Sequence, residues 1–522
     1  MANPTGSTPD TLFDEVLDVA IRGARRIAFV HGWTRLALSG GAGMLAALAL
    51  APFYAIPAIL VSITLLIWLI DGLDEGLKGV LEALAAGAAF GLGYFSVAFY
   101  GLWLSSPLGL VLVAWASLFP ALAVLVAHQF WTAGPERGLT LAIVFTAAEW
   151  CRGHFFGGLP LALVGSVWAE TPHMLQIAAW VGVYGLSLLT LAVASAIAGC
   201  LPNPSFAYHG PGQHMRLTLW WPAAALAAMG LVFLAGLWRL SGDTASASDQ
   251  TIVRIVTAPE GVCDLDPADL QRKSTLPTNN FDYSRVSMLI IPGTPCGPGF
   301  LSERPGGTEI VSAWIKENQV AVVQSARRAR QGGLYDALHI IDVEGEIRAT
   351  YDRSHGLPFG FGPAHATHPT VPIFLGAGPR TYAPSDVPEF GLLVGIDVAA
   401  SGDVVDHTKR PAWLLNLSDE KDAFPGTRKQ FADAARLRAV EEGLPVVRGA
   451  AGGISVVFDA YGKTVIGSDG HQSGIIDTAL PAPLPATFYA TTGAISVLLS
   501  LICAAGLAYG ISRWRLPSVR AT

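Results

Sequence analysis

The hydrophobic positions of this chain fall into two regimes. From residue 34 to 239, and again from 488 to 512, apolar residues run on with few charges among them. A helix that crosses a bilayer needs about 20 mostly apolar residues. Stretches near 34–50, 52–70, 80–103, 107–128, 138–151, 175–200, 217–238 and 488–511 meet or approach that length, the first and fifth being short. About eight spans are therefore expected. Between 240 and 487 the pattern changes to short apolar runs separated by polar stretches. Ile252–Val256, Met288–Ile291, Val320–Val323, Leu392–Ile396, Trp413–Leu417 and Ile454–Phe458 read as strands, and Thr308–Asn318 and Thr427–Glu441 as helices. Strands interleaved with helices predict an α/β domain, and the unbroken Met288-Leu289-Ile290-Ile291 suits a strand covered on both faces. The expected organisation is an N-terminal segment (1–33), a bundle of about seven spans (34–239), a water-facing domain (240–487) entered through the small-residue linker Ser241–Gln250, a last span (488–512) and a tail (513–522).

Composition sharpens this picture. Hydrophobic residues make up 52% of the 522 and charged residues 14%, against about 25% charged in soluble domains. The deficit lies in the apolar regions. Arg22, Arg25 and Arg26 precede the first span, and Arg513, Arg515 and Arg520 follow the last. Basic residues near span ends mark the cytoplasmic side, so both ends are expected there, as an even span number requires. The 240–487 domain then faces the other side, the periplasm in a bacterium with two membranes. A net charge of −7 without a basic stripe speaks against nucleic acid as a partner. The five cysteines form no CxxC or zinc-type spacing. Cys151, Cys200 and Cys503 read as small apolar fillers. Cys263 and Cys296 lie in the exported part, where a disulfide between them is open. His365 and His368, near His355, stand in a Pro-rich loop and are not read as a metal site, and no cofactor is expected. Trp220 and Trp221 read as interfacial anchors.

Ordered strings along almost the whole chain carry a resemblance. They are Leu48-Ala49-Leu50-Ala51-Pro52-Phe53, Gly91-Leu92-Gly93-Tyr94-Phe95, and Phe156-Gly157-Gly158-Leu159-Pro160, with Gln176 and then Val181-Gly182-Val183-Tyr184-Gly185-Leu186-Ser187. In the water-facing part they are Tyr351-Asp352-Arg353-Ser354-His355-Gly356-Leu357-Pro358-Phe359-Gly360, Trp413-Leu414-Leu415-Asn416-Leu417, and Arg436 to Pro445. Together they resemble the apolipoprotein N-acyltransferases, bacterial inner-membrane enzymes with a nitrilase-like (carbon-nitrogen hydrolase) domain. The resemblance implies a four-layer αββα sandwich joined to a multi-pass helical bundle, with phospholipid and lipoproteins as partners. It also implies acyl transfer from a phospholipid, through a cysteine thioester, to the N-terminal amine of a diacylated lipoprotein. A thiolate nucleophile divides the transfer into two steps, a glutamate moves protons, and a lysine stabilises the developing oxyanion.

At each aligned catalytic position this chain differs. Ile291-Pro292-Gly293-Thr294 puts Gly293 where the resemblance places the glutamate, Arg353 stands for the lysine, and Ile396-Asp397-Val398-Ala399 puts Asp397 in place of the cysteine. Phe361 ends the string in which the family carries a further glutamate. Glycine carries no proton. Arginine keeps the charge but stays protonated. Attack by Asp397 on an ester would give a mixed anhydride, higher in energy than the ester, and Cys296 reads as an incidental loop cysteine rather than a relocated nucleophile. Arg353 and Asp397, opposite in sign, are read either as an ion pair across the old site or as residues that drifted once catalysis was lost. Two readings follow. One is a degenerate member that binds lipid or lipoprotein without acyl transfer. The other is an active transferase with a non-standard site. Hydrolysis or transfer on another amide or nitrile suffers equally from the missing cysteine.

Overall fold

The computed structural model describes residues 9–105, 107–201, 203, 218–242, 251–257, 283–293, 307–330, 333–358, 374–385, 387–420, 423–468 and 474–515. Cys263, Cys296, His365, His368 and Phe361 lie outside them. The chain divides into two compact units, one of Met1–Trp150, Tyr184–Leu231 and Leu498–Thr522, the other of Cys151–Val183 and Val232–Val497. Segments 151–183 and 232–239, which hydropathy alone groups with the bundle, thus pack with the α/β part.

The first unit is helical. Among the described residues, four helices are long and apolar enough to cross a membrane: Gly76–Ala98, Leu108–Gln129, Trp220–Leu240 and Ala494–Arg513. Pro57–Asp71 and Ala178–Ala194 are apolar but shorter. The run expected as one span over 80–103 breaks at Phe99, and a separate short helix, Tyr100–Ser105, follows. Small residues let these helices approach closely, as in membrane bundles. A Cβ added at Gly43 would collide with the Phe90 carbonyl, and one at Gly93 with the Gly40 carbonyl. Two buried arginines face carboxylates. Arg35 meets Glu82, and Arg137 lies 3.1 Å from Asp71, which also accepts from the Trp131 indole at 2.9 Å.

The second unit is built on two six-stranded sheets. The strands are β1 (Ile252–Thr257), β2 (Met288–Ile291), β3 (Ala321–Arg330), β4 (Gly333–Ile341), β5 (Ile347–Asp352), β6 (Thr381–Tyr382), β7 (Phe390–Val394), β8 (Trp413–Asp419), β9 (Val446–Ala451), β10 (Val456–Phe458), β11 (Thr464–Gly467) and β12 (Gly474–Ala479). One sheet runs β12-β1-β2-β3-β4-β5 and the other β11-β10-β9-β8-β7-β6. Within each, the central trio is parallel: β1-β2-β3 and β7-β8-β9. Alternation assigns each side chain to a layer. Met288 and Ile290 join Leu415, Leu417, Val447 and Trp413 in the core between the sheets. Leu289 and Ile291 face the other way, against Ile315 of helix α1 (Gly307–Asn318). Helix α2 (Pro425–Glu442) covers the second sheet, where Arg436 lies 5.0 Å over the Phe458 ring. The result is the αββα sandwich of the nitrilase-like fold. It places the C-terminal ends of the parallel strands, where open α/β sheets bind ligands, at Gly293 after β2 and at the turn after β7.

Candidate active site

Each aligned catalytic position sits just past a strand. Gly293 follows β2 with φ +75°, a left-handed conformation that favours glycine. Its N–H donates to Ser325 Oγ at 3.1 Å. A Cβ built there would collide with the Ala451 methyl at the end of β9, and the Asp419 carboxylate would lie 3.7 Å from it. The space that a side chain at 293 would enter is therefore lined by a methyl and a carboxylate from the opposite sheet.

Arg353 follows β5 and is buried. Its guanidinium meets Asp336 of the neighbouring strand β4 at 2.8 Å. Its backbone N–H donates to the Asp336 carbonyl, also at 2.8 Å. The backbone bond fixes the register that sets the two side chains together, so the arginine finds its counter-charge within its own sheet. The ion pair with Asp397, one of the two readings, does not form: among the described residues Asp336 is the only carboxylate in ion-pair contact with Arg353. That reading failed because it matched signs and overlooked a nearer acid.

Asp397 is fully buried on the short 3-10 turn Gly395–Ala399 that follows β7. Its oxygens accept from three backbone amides: Val394 at 2.9 Å, His355 at 2.7 Å and Ser354 at 3.2 Å. The Tyr351 hydroxyl donates at a longer 3.4 Å, and His355 Nδ1 lies 3.3 Å away. The other ring nitrogen of His355 is 2.9 Å from Asp403. Burial alone would lower the His355 pKa. Hydrogen bonds to Asp397 and Asp403, with their charges, outweigh it and hold the pKa at about 9. An imidazolium is thus bracketed by a buried and an exposed carboxylate. Burial and the Asp397 charge raise the Tyr351 phenol, which stays neutral.

Sequence reasoning proposed the three aligned positions but gave no role to the residues that surround them in the structure. Asp336 lies on a strand the pattern did not show. Tyr351 and His355 stood inside the quoted string without a role. Asp419 and Ala451 become relevant only once β8 and β9 are placed against β2. A small cleft elsewhere in this unit is lined by Pro160, Leu163, Ala399, Asp433, Leu437 and Arg438 among others, and by none of the three aligned positions. Among the described residues, no group of His, Cys, Asp and Glu is arranged to hold a metal.

The chain thus combines apolar helices long enough to cross a membrane with an α/β sandwich of two six-stranded sheets. Residues 42–196 match the family model for the apolipoprotein N-acyltransferase N-terminal domain. The apolipoprotein N-acyltransferases of Agrobacterium fabrum and Rhizobium meliloti are each 30% identical to this chain. The matches cover 88% of this chain and 92% of the first, and 92% of this chain and 97% of the second. That of Bradyrhizobium diazoefficiens is 29% identical over 92% of this chain and 95% of its own length. A carbon-nitrogen hydrolase from Helicobacter pylori G27 matches at 17% identity with a TM-score of 0.35, covering 44% of this chain and 87% of that one. The chain belongs to the apolipoprotein N-acyltransferase family.

Proposed function

We propose that this protein is a family member that has lost acyl transfer and acts at the inner membrane by binding phospholipid or lipoprotein. Both ends would be cytoplasmic, with about eight spans and the sandwich on the periplasmic side. The observation that carries the reading is the state of Asp397. A nucleophile needs a free lone pair and a path to its electrophile. This carboxylate is fully buried, and its oxygens are occupied by three amides and an imidazolium. The neighbouring positions agree with this. Gly293 has no proton to move, and Arg353 is engaged with Asp336.

A second reading, an active transferase with a non-standard site, draws support from the family match over about nine-tenths of the chain. Complementation separates the two. The protein is expressed in a bacterium depleted of its own lipoprotein N-acyltransferase, membrane insertion is verified, and the third acyl chain on a lipoprotein is read by mass spectrometry. No acyl chain from correctly inserted protein is the expected result. Rescue of growth with an N-acylated lipoprotein would overturn the proposal. A parallel variant restores Gly293→Glu, Arg353→Lys and Asp397→Cys. It needs Ala451→Gly as well, because the Ala451 methyl blocks a Cβ at 293.

A further inference from the structure

The turn that presents Asp397 is held at its far end by a second buried carboxylate, Glu441, near the end of α2. Glu441 is fully buried. Its Oε1 accepts the Val183 backbone N–H at 2.7 Å. Its two oxygens accept from the Ser401 hydroxyl at 3.0 and 2.9 Å, and Arg438 pairs with Oε2 at 2.9 Å. Arg438 also donates to the carbonyl of Ala399, the last residue of the turn, at 3.1 Å. Ser401 is in turn 2.7 Å from the Tyr489 hydroxyl.

The Val183 N–H is available because the helix breaks there. Gly182 has φ +66° inside the Ala178–Ala194 helix. The break also admits the Tyr489 ring, which a Cβ at Gly182 would strike. Two segments distant in sequence, around 182 and 401, therefore meet on one carboxylate, and a third, around 489, joins them through Ser401. Removing one partner of a buried, hydrogen-bonded charge costs several kcal/mol because the rest are left unpaired, so this hub fixes relative positions closely.

We propose that Glu441 is the positioning residue of the Gly395–Ala399 turn, setting Asp397 and Asp403 from the helix break at Gly182 and from Tyr489. The inference holds whether or not the site transfers acyl groups. His355 serves as its gauge, because its two ring nitrogens contact Asp397 and Asp403, one on the turn and one just beyond it.

The test uses full-length protein in detergent with labelled histidine, the His355 signal being assigned by its loss in His355→Gln. Its titration midpoint and amide exchange over 395–403 are compared in the parent, Glu441→Gln and Tyr489→Phe. Glu441→Gln is expected to lower the midpoint by about one pH unit or more, as carboxylate contacts loosen. It should also speed exchange over 395–403 about tenfold, while β1 to β5 exchange as before. Tyr489→Phe, which keeps the ring, should act in the same direction and less strongly. It decides the matter if Glu441→Gln does not fold. A folded variant with the parent midpoint and parent exchange over the turn would overturn the proposal.

Discussion

Asp397 and Glu442 are both buried carboxylates of the same unit, and their surroundings are opposite. Asp397 receives three backbone amides and an imidazolium. The Glu442 carboxylate receives no hydrogen bond among the described residues. Burial, aided by the charge of adjacent Glu441 and only partly opposed by Arg438 and Arg410, raises its pKa to about 7. It also stands at the last residue of α2, where the helix dipole disfavours negative charge. Burial alone therefore does not decide what an acid does. The donors aimed at it decide, and at Asp397 they are mostly main-chain groups that a substitution elsewhere cannot easily remove.

The largest expected effect breaks the well-served member of this comparison. Asp397→Ala would strand three amides and leave Asp403 as the one carboxylate in contact with His355 among the described residues. A loss of roughly 3–5 kcal/mol is expected from orphaning buried polar and charged partners, read as a large fall in the unfolding midpoint of detergent-solubilised protein. Asp397→Asn, which keeps one accepting oxygen, should lose less. A loss below about 1 kcal/mol for the alanine variant would contradict the bonding described here.

Glu442 gives the converse. Its folded pKa of about 7 lies above the ordinary value of 4.5. The folded state therefore binds the proton more tightly than the unfolded state, and stability is lost as pH rises from about 4.5 through 7. Glu442→Gln should leave stability unchanged near pH 4 and raise it at pH 8 by roughly 1–3 kcal/mol. His355 contributes in a higher window. With its pKa raised from 6.5 to about 9, its bonus is complete below about pH 6.5 and lost as pH rises through 9. His355→Gln should cost roughly 1–2 kcal/mol at pH 6 and little at pH 10. The two variants should flatten different limbs of one stability–pH curve, and flattening of the same limb would refute the assignment of either.

Much of this was legible in the chain. Apolar runs marked the helices, and β1, β2 and β8 were expected within two residues of their ends, because strands buried on both faces are written as continuous apolar segments. The antiparallel strands β4, β5, β11 and β12 were not expected. Ile347–Asp352 carries Arg348, Thr350 and Asp352 among its six residues, and β11 is exposed along its length, so neither presents an apolar run. In the candidate site, the identities of the three aligned residues are readable because residue identity is a sequence property. The partner of each is not. Arg353 takes Asp336 and not Asp397 because a pairing across β4 and β5 brings it there, and strand register is not written in charge signs.

The smallest effect concerns the aligned position that carries no side chain. At Gly293 the backbone is left-handed, and a Cβ would meet the Ala451 methyl. Gly293→Ala should therefore cost about 1–2 kcal/mol, part from conformation and part from the collision. Ala451→Gly would relieve only the collision. The two changes should couple by roughly 0.5–1 kcal/mol in a double-mutant cycle, as for other side chains in contact. Additive behaviour would mean that β2 and β9 give way without cost. The mouth between the sheets could then accept a side chain at 293. Coupling of the expected size would make Ala451 a barrier to any side chain at 293, so that a glutamate introduced there is not accommodated until 451 has changed as well.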